Sequence, residues 1–202
     1  MDHFSANNII DLYQQHSAHW DRIRSDQCYE ESWLNRFLAL LPAGADILDI
    51  GCGSGKPIAN YFMKQGFSVT GVDASTSMIA LCRQRFPAQK WHVADMRALS
   101  LNQRFDGLVA WDSFFHLTRD DQRKMFPLFG AHASDKAVLM FTSGSGNGEA
   151  IGEFQGEPLY HASLAPEEYR TLLADHGFSV IKMIAEDPQC TGHTIWLAQK
   201  GV

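Results

Sequence analysis

Cysteine is scarce in this chain of 202 residues, and none of its cysteines forms a CxxC pair. Cys28, Cys52, Cys82 and Cys190 are widely separated in the sequence. Neither a zinc site nor a disulfide framework is therefore expected. We expect reduced thiols, no bound metal and a cytoplasmic location.

Long apolar runs and an excess of positive charge are also lacking. No apolar run approaches the roughly 18 residues that cross a bilayer, and residues 1–4 do not resemble a signal peptide, so no membrane association is expected. The formal net charge of −6 disfavours nucleic acid as a partner. Without repeats or low-complexity linkers, residues 1–202 are expected to form one domain.

Helical and strand patterns alternate along most of the chain. Apolar spacing predicts helix within residues 8–41, so we interpret residues 1–42 as a helical cap and 43–202 as the core. Alternating strands and helices in the core predict βαβ units with a parallel sheet. The predicted strands are Ile47–Ile50, Ser68–Val72, Lys90–Val93, Gly107–Trp111 and Ala137–Thr142, and the predicted helices are 57–65, 75–86, 119–132 and 166–176. Two last strands, near 178–185 and 193–199, are expected to form an antiparallel hairpin.

The stretch "ILDIGCGSGKPI", residues 47–58, has the glycine spacing of a nucleotide-binding loop. A phosphate-binding P-loop would need glycine at Ile50 and a hydroxyl at Pro57. The dinucleotide fingerprint would need its third glycine at Lys56, which weakens the alternative of an NAD-dependent oxidoreductase without excluding it. Asp49, just before the loop, would repel a pyrophosphate. It suits a cationic amino group, such as the methionyl end of S-adenosylmethionine, although it could instead brace the loop.

Four motifs, in order, resemble those of the class I S-adenosylmethionine-dependent methyltransferases, over about residues 45–200. They are "ILDIGCGSG", "VTGVDAS", "VADMRAL" and "FDGLVAWDSFFHL". The resemblance implies S-adenosylmethionine as cofactor. It also implies a doubly wound, Rossmann-like α/β sheet of seven strands, with helices on both faces. In this family the strand order is 3-2-1-4-5-7-6 with strand 7 antiparallel, and the ligand lies at the carboxyl ends of the strands.

The same resemblance assigns roles to individual side chains. Asp73 would accept the ribose hydroxyls, since a carboxylate offers two acceptor oxygens, and Asp95 would accept from the adenine amino group, with Met96 against the ring. The segment "HSAHWDRIR" resembles a helix that folds over the cofactor. The expected cofactor-binding residues are Trp20, Arg24, Asp49, Gly51, Cys52, Gly53, Asp73, Ala74, Met78, Asp95, Met96, Trp111 and Asp112.

Methyl transfer from a sulfonium needs positioning more than acid–base groups, so no catalytic triad is expected. The acceptor, expected to be a small molecule, would lie between the end of the fourth strand and a lid segment, residues 143–165. His116, His161 and Tyr160 are the candidate catalytic residues. Either histidine can act as a base because imidazole titrates near neutral pH, and Tyr160 is expected to line the acceptor cleft. A non-catalytic cofactor-binding module remains an alternative, and either a monomer or a homodimer is expected.

Overall fold

The computed structural model describes residues 4–24 and 28–201. The helices are α1 (Phe4–Asn7), α2 (Ile9–Gln15), α3 (Ser17–Ile23), α4 (Glu31–Leu38), α5 (Ile58–Lys64), α6 (Thr76–Arg85), α7 (Arg119–His132) and α8 (Pro166–Asp175). The strands are β1 (Asp46–Ile50), β2 (Ser68–Asp73), β3 (Lys90–Val93), β4 (Phe105–Ala110), β5 (Ala133–Ser143), β6 (Gly148–Phe154), β7 (Glu157–Ser163), β8 (Phe178–Asp187) and β9 (His193–Lys200). Short 3-10 turns lie at Met96–Ala98, Phe114–His116 and Pro188–Cys190.

Seven strands form one sheet in the order β3-β2-β1-β4-β5-β9-β8. The first five run parallel, while β9 is antiparallel to both of its neighbours. Numbered in chain order within this sheet, the arrangement is 3-2-1-4-5-7-6 with the seventh strand antiparallel, so the expected topology is confirmed. The order reverses between β1 and β4, and ligands of such sheets bind at the carboxyl ends of the strands beside that point.

Helices cover both faces of the sheet. On one face, α4, α5 and α6 bury an apolar cluster that includes Phe37 and Phe62. On the other, α7 and α8 bury a second cluster that includes Phe126 and Tyr169. The near-continuous apolar character of the central strands follows from this two-sided burial.

The N-terminal region is helical, as expected, but broken into several pieces. One helix ends and the next begins at His16, and α4 starts only at Glu31. Residues of α2 and α3 line a pocket, whereas the apolar residues of α4 pack in the core. No helix in the described part of the chain is long and apolar enough to cross a bilayer.

Residues 143–165 contain a feature that the sequence patterns did not reveal. Strands β6 and β7 pair as an antiparallel hairpin outside the main sheet, with Phe154 opposite Glu157. Gln155 and Gly156, with φ of 56° and 80°, form the two-residue turn, and positive φ at both positions suits the twist of a hairpin. The glycines in this segment hid the strands, because glycine weakens a strand pattern.

Candidate functional site

The loop after β1 is shaped for close backbone approach. Gly51 has φ of +78°, and a Cβ there would lie 2.3 Å from the Cβ of Ser113. Ser113, at the end of β4, donates its hydroxyl to the carbonyl of Ile50 over 2.7 Å. Glycine is therefore required at position 51, because both the positive φ and the adjacent Ser113 side chain exclude a larger residue.

Asp73, at the end of β2, fixes this loop. One carboxylate oxygen accepts from the backbone N–H of Gly53 at 2.9 Å, and the other accepts from that of Ser75 at 2.8 Å. Burial raises the pKa of Asp73, and these two N–H donors act in the opposite direction. Each oxygen keeps a second lone pair that can receive a hydroxyl from a ligand.

Asp49 lies deeper, within β1, and is 3% exposed. Burial, followed by the negative charge of Asp73, raises its pKa to about 7. A cation placed beside it would favour the charged carboxylate and lower that pKa.

Asp95 follows β3 and is paired within its own turn. Arg97 donates to both carboxylate oxygens, with Nη2 to Oδ2 at 2.6 Å. Burial favours the neutral form, but hydrogen bonds from the side chain and backbone of Arg97 outweigh it and lower the pKa of Asp95. An adenine amino group would therefore have to share or replace the arginine.

Helices α2 and α3 form a cap over these acids. Gln14 accepts from the Ser75 hydroxyl at 2.9 Å and from the Ser77 backbone at 3.2 Å, and it donates to the Ser77 hydroxyl at 2.5 Å. The indole nitrogen of Trp20 is 3.6 Å from the position a Cβ would take on Gly53. The cap is thus attached directly to the helix N-terminus that follows Asp73.

The β6–β7 hairpin meets the cap from the other side. The ring of Phe154 stacks on Tyr13 at 5.8 Å and meets Trp20 edge-on at 5.9 Å. His16 Nε2 lies 2.7 Å from the carboxylate of Glu157. The hairpin therefore packs against the cap through both aromatic and charged side chains.

The end of β4 contributes Trp111 and Asp112. His193 donates from Nε2 to Asp112 at 2.8 Å, and its Nδ1 lies 2.9 Å from the carbonyl of Cys190. The hydrogen bond to Asp112 raises the pKa of His193, since oxygen acceptors at both ring nitrogens favour the imidazolium. The second carboxylate oxygen of Asp112 lies 3.9 Å from Arg24, which also pairs with Glu30.

His116 is buried beneath the cap, which disfavours its protonation near neutral pH. Its Nδ1 lies 2.8 Å from the backbone carbonyl of Tyr160, and its Nε2 lies 3.0 Å from the hydroxyl of Tyr13. Burial lowers the pKa of His116 to about 4. The expectation that this imidazole titrates near neutrality is wrong, because the ring has no solvent to stabilise its charged form.

The other two catalytic candidates lie behind His116. Tyr160 is 2% exposed, and burial together with the carboxylate of Glu149 raises the pKa of its phenol to about 12. His161 is half-buried, with its ring 4.9 Å from that of His116, and burial lowers its pKa. Neither side chain is among the described residues that line the cleft.

A single pocket is lined by all thirteen residues expected to bind the cofactor, together with His116. It also includes residues that the sequence patterns did not assign to a site, among them Ser75, Ser113 and Tyr13. Ser75 reads as a helix N-cap, which it is, and Tyr13 reads as one apolar position of a helix. The sequence around these two residues does not show whether their side chains line a pocket or pack in the core.

Comparison with known proteins shows what the part of the chain around this pocket resembles. Residues 47–132 match a family model described as a methyltransferase domain. That match spans the glycine loop and all three strand-end acids. Over these residues the chain is similar to a methyltransferase domain.

Individual relatives are moderately similar to this chain. It is 29% identical over 136 residues to a putative methyltransferase, YqeM, of Bacillus subtilis, covering 64% of this chain and 54% of that protein. It is 35% identical over 101 residues to the dTDP-3-amino-3,6-dideoxy-alpha-D-glucopyranose N,N-dimethyltransferase of Streptomyces fradiae, covering 49% and 39%. The chain thus spans about half the length of the curated relatives it matches.

Among solved structures, the fold resembles the 1,6-didemethyltoxoflavin-N1-methyltransferase of Burkholderia thailandensis, whose structure holds S-adenosylhomocysteine. The TM-score is 0.77 with 18% identity, covering 100% of this chain and 91% of that one. At this identity the likeness concerns the fold.

Proposed function

We propose that this protein transfers a methyl group from S-adenosylmethionine to a small-molecule acceptor by in-line displacement. The observation that carries the proposal is the convergence of the Gly51 loop with Asp49, Asp73 and Asp95 in one pocket beneath the cap. When bound, the cofactor supplies a methyl group on a sulfonium, which is already activated toward a nucleophile. The protein's contribution is then binding and alignment.

The residues fit the parts of that cofactor. Asp73 has free lone pairs for two ribose hydroxyls, and Asp95 with Met96 is proposed to hold the adenine. Asp49, which is readily protonated in the free protein, would become charged beside a cationic amino group. Gly51 has no side chain, so the loop can pack closely against Ser113.

The remaining proposed contacts frame the methionyl end and the loop. Trp20 and Arg24 come from the cap, and Trp111 and Asp112 come from the end of β4. The other proposed contacts are Cys52, Gly53, Ala74 and Met78. The pair of Arg24 and Asp112 offers one cation and one carboxylate to the two charged ends of an amino acid.

The acceptor is proposed to lie at the end of the pocket beside His116. A general base among His116, His161 and Tyr160 stays a prediction. His116 is at least neutral at physiological pH, as a base must be, but its lowered pKa makes it a weak one. A small acceptor is favoured because the amino-sugar methyltransferase among the relatives acts on a small molecule.

The wider setting is also a proposal. Cys52, Cys82, Cys190 and Cys28 are free thiols, which fits a reducing compartment such as the cytoplasm. The net charge of −6 gives no attraction to nucleic acid. A monomer or a homodimer is proposed as the assembly.

The test is calorimetric titration with S-adenosylhomocysteine and with NAD, followed by transfer of labelled methyl from S-adenosylmethionine into a deproteinised cell extract. We expect micromolar-range binding of S-adenosylhomocysteine, no binding of NAD and a labelled small-molecule product. Binding of NAD alone would restore the oxidoreductase alternative. Binding of S-adenosylhomocysteine with no transfer to any component would favour a non-catalytic module.

A further inference from the structure

A hydrogen-bonded pair, Tyr13 of the cap and His116 after β4, lies at the acceptor end of the pocket. The Tyr13 hydroxyl is 3.0 Å from His116 Nε2, although the two residues are 103 positions apart. Both residues line the pocket. His116 is 6% exposed, so the bond is shielded from solvent.

The surroundings of His116 determine which atom donates in this pair. Nδ1 faces the backbone carbonyl of Tyr160 at 2.8 Å, and a carbonyl oxygen can only accept. The proton of the neutral ring therefore sits on Nδ1, which leaves Nε2 as an acceptor. Tyr13 must donate its hydroxyl hydrogen to Nε2.

Tyr13 is consequently fixed as an acceptor toward the pocket. Its only hydroxyl hydrogen is engaged by His116, so the oxygen offers lone pairs alone to a ligand. Burial, followed by the carboxylates of Asp112 and Asp73, raises the pKa of this phenol and keeps it un-ionised. Contacts with Phe154 and Trp20 fix the direction of the ring.

The pair also has little capacity to take up a proton. A proton passed through Tyr13 would have to rest on His116, whose pKa is lowered to about 4. The carboxylate of Asp112, at the same end of the pocket, already accepts a hydrogen bond from His193 and lies near the guanidinium of Arg24. Neither His116 nor Asp112 is thus free to take the proton of an alcohol, whereas an amine can react while it still carries its hydrogen.

We infer that Tyr13 accepts a hydrogen bond from the atom that is methylated, and that this atom is the nitrogen of a neutral amine. The inference rests on the proposed function. The nitrogen lone pair forms the new C–N bond, the C–S bond breaks with its electron pair remaining on sulfur, and the product is an N-methylammonium. That ammonium loses its proton to water after release. His116 acts as a positioning residue that holds the Tyr13 hydrogen away from the nitrogen.

The first test needs no acceptor. In protein labelled with ¹⁵N-histidine, we expect His116 to show a protonated Nδ1 and a bare Nε2, unchanged between pH 5.5 and 8, with its signals assigned by their loss in His116→Gln. In Tyr13→Phe the Nε2 resonance should move because its donor is gone. A proton on Nε2, or titration near the ordinary pKa of histidine, would overturn the inference whatever the enzyme methylates.

The second test uses the labelled product from the cell extract, identified by mass spectrometry and NMR. We expect an N-methyl product. Tyr13→Phe should lower turnover about tenfold with unchanged affinity for S-adenosylhomocysteine. His116→Ala should lower turnover as Tyr13→Phe does, and the conservative His116→Gln should restore part of it, because its amide can donate to Tyr160 and accept from Tyr13. Tyr61→Phe is the matched control, since its hydroxyl bonds to Asn35 away from the pocket.

The outcomes distinguish failure of the amine inference from failure of the proposed methyl transfer. An O-methyl or S-methyl product, or full turnover in Tyr13→Phe, would overturn the inference while methyl transfer stands. Absence of any product from the unaltered protein would contradict the proposed function, and the inference would fall with it.

Discussion

Three aspartates near the carboxyl ends of neighbouring strands have the same side chain and three different environments. Asp49 is enclosed, Asp73 receives two backbone N–H groups, and Asp95 is paired with an arginine. These surroundings raise the pKa of the first two and lower that of the third. Their proposed roles toward amino, ribose and adenine groups follow these differences.

Replacing Asp73 by alanine should weaken binding of S-adenosylhomocysteine at least tenfold, because hydrogen bonds to a charged acceptor contribute roughly 1.5–3 kcal/mol each. The structure adds a cost in stability, since the N–H groups of Gly53 and Ser75 lose their acceptor. Isothermal calorimetry and denaturant unfolding measure the two effects. Asp175→Ala, exposed at the end of α8, is the control. An unchanged dissociation constant would place the ribose elsewhere.

Binding of S-adenosylhomocysteine at pH 7 should release protons from Asp49. The free carboxyl has a pKa of about 7, and a bound ammonium group would lower it, so the complex holds fewer protons than the free protein. Affinity should therefore fall as the pH is lowered below about 7. Calorimetry in buffers of different ionisation enthalpy measures the released protons, and Asp49→Asn should abolish the release. Equal proton release in both proteins would assign it to another group.

At the scale of elements, the pocket is covered by the cap, and the cap in turn contacts a hairpin from a distant part of the chain. The cap, α2 and α3, docks on α6 through Gln14 and through the pairing of Asp21 with Arg85. The hairpin β6–β7 docks on the cap through Phe154 and Glu157. Neither piece belongs to the main sheet, so their attachment depends on a few side chains.

Gln14→Ala should loosen the cap. Losing its hydrogen bonds to Ser75 and Ser77 should cost about 1 kcal/mol of docking and weaken binding of S-adenosylhomocysteine about fivefold. Hydrogen exchange in residues 9–23 should slow when the ligand binds to the unaltered protein, and slow less in the variant. Gln65→Ala, exposed at the end of α5, is the control. If hydrogen exchange in residues 9–23 is the same with and without S-adenosylhomocysteine, the cap does not respond to ligand binding.

At the scale of the whole molecule, the parallel arrangement of β1, β2, β3 and β4 brings distant parts of the sequence to one sheet edge. Residues near positions 50, 73, 95 and 112 meet there because each follows or ends a strand. A ligand that binds across these loops stabilises all of them together, so occupancy is linked to global stability.

Saturating S-adenosylhomocysteine should therefore raise the melting temperature. At 100 times the dissociation constant the linkage contributes about 2.7 kcal/mol, or roughly 5–10 °C for a chain of this size. Differential scanning fluorimetry measures the shift, with NAD as the unbound comparison. A melting temperature that does not change with S-adenosylhomocysteine would contradict binding to the folded state.

The parallel sheet could be predicted from short-range patterns, whereas its strand order and the residues of the pocket were implied by the resemblance to a methyltransferase family. The glycine loop, the acids at strand ends and the alternation of strands and helices are local in sequence. The parallel topology then brings the loops together without further information. All thirteen expected cofactor-binding residues line one pocket for this reason.

The β6–β7 hairpin, the Tyr13–His116 pair and the burial of Tyr160 were decided only by the tertiary structure. Glycines obscured the strand pattern of the hairpin. The bond between Tyr13 and His116 joins residues 103 positions apart, and no local pattern relates them. The pKa of His116 depends on how much water surrounds its ring, and that is set by the cap and hairpin packed over it. The sequence determined which residues are candidates to contact a cofactor. Tertiary packing determined which of those side chains are shielded from water, which are hydrogen-bonded and in which direction they are held.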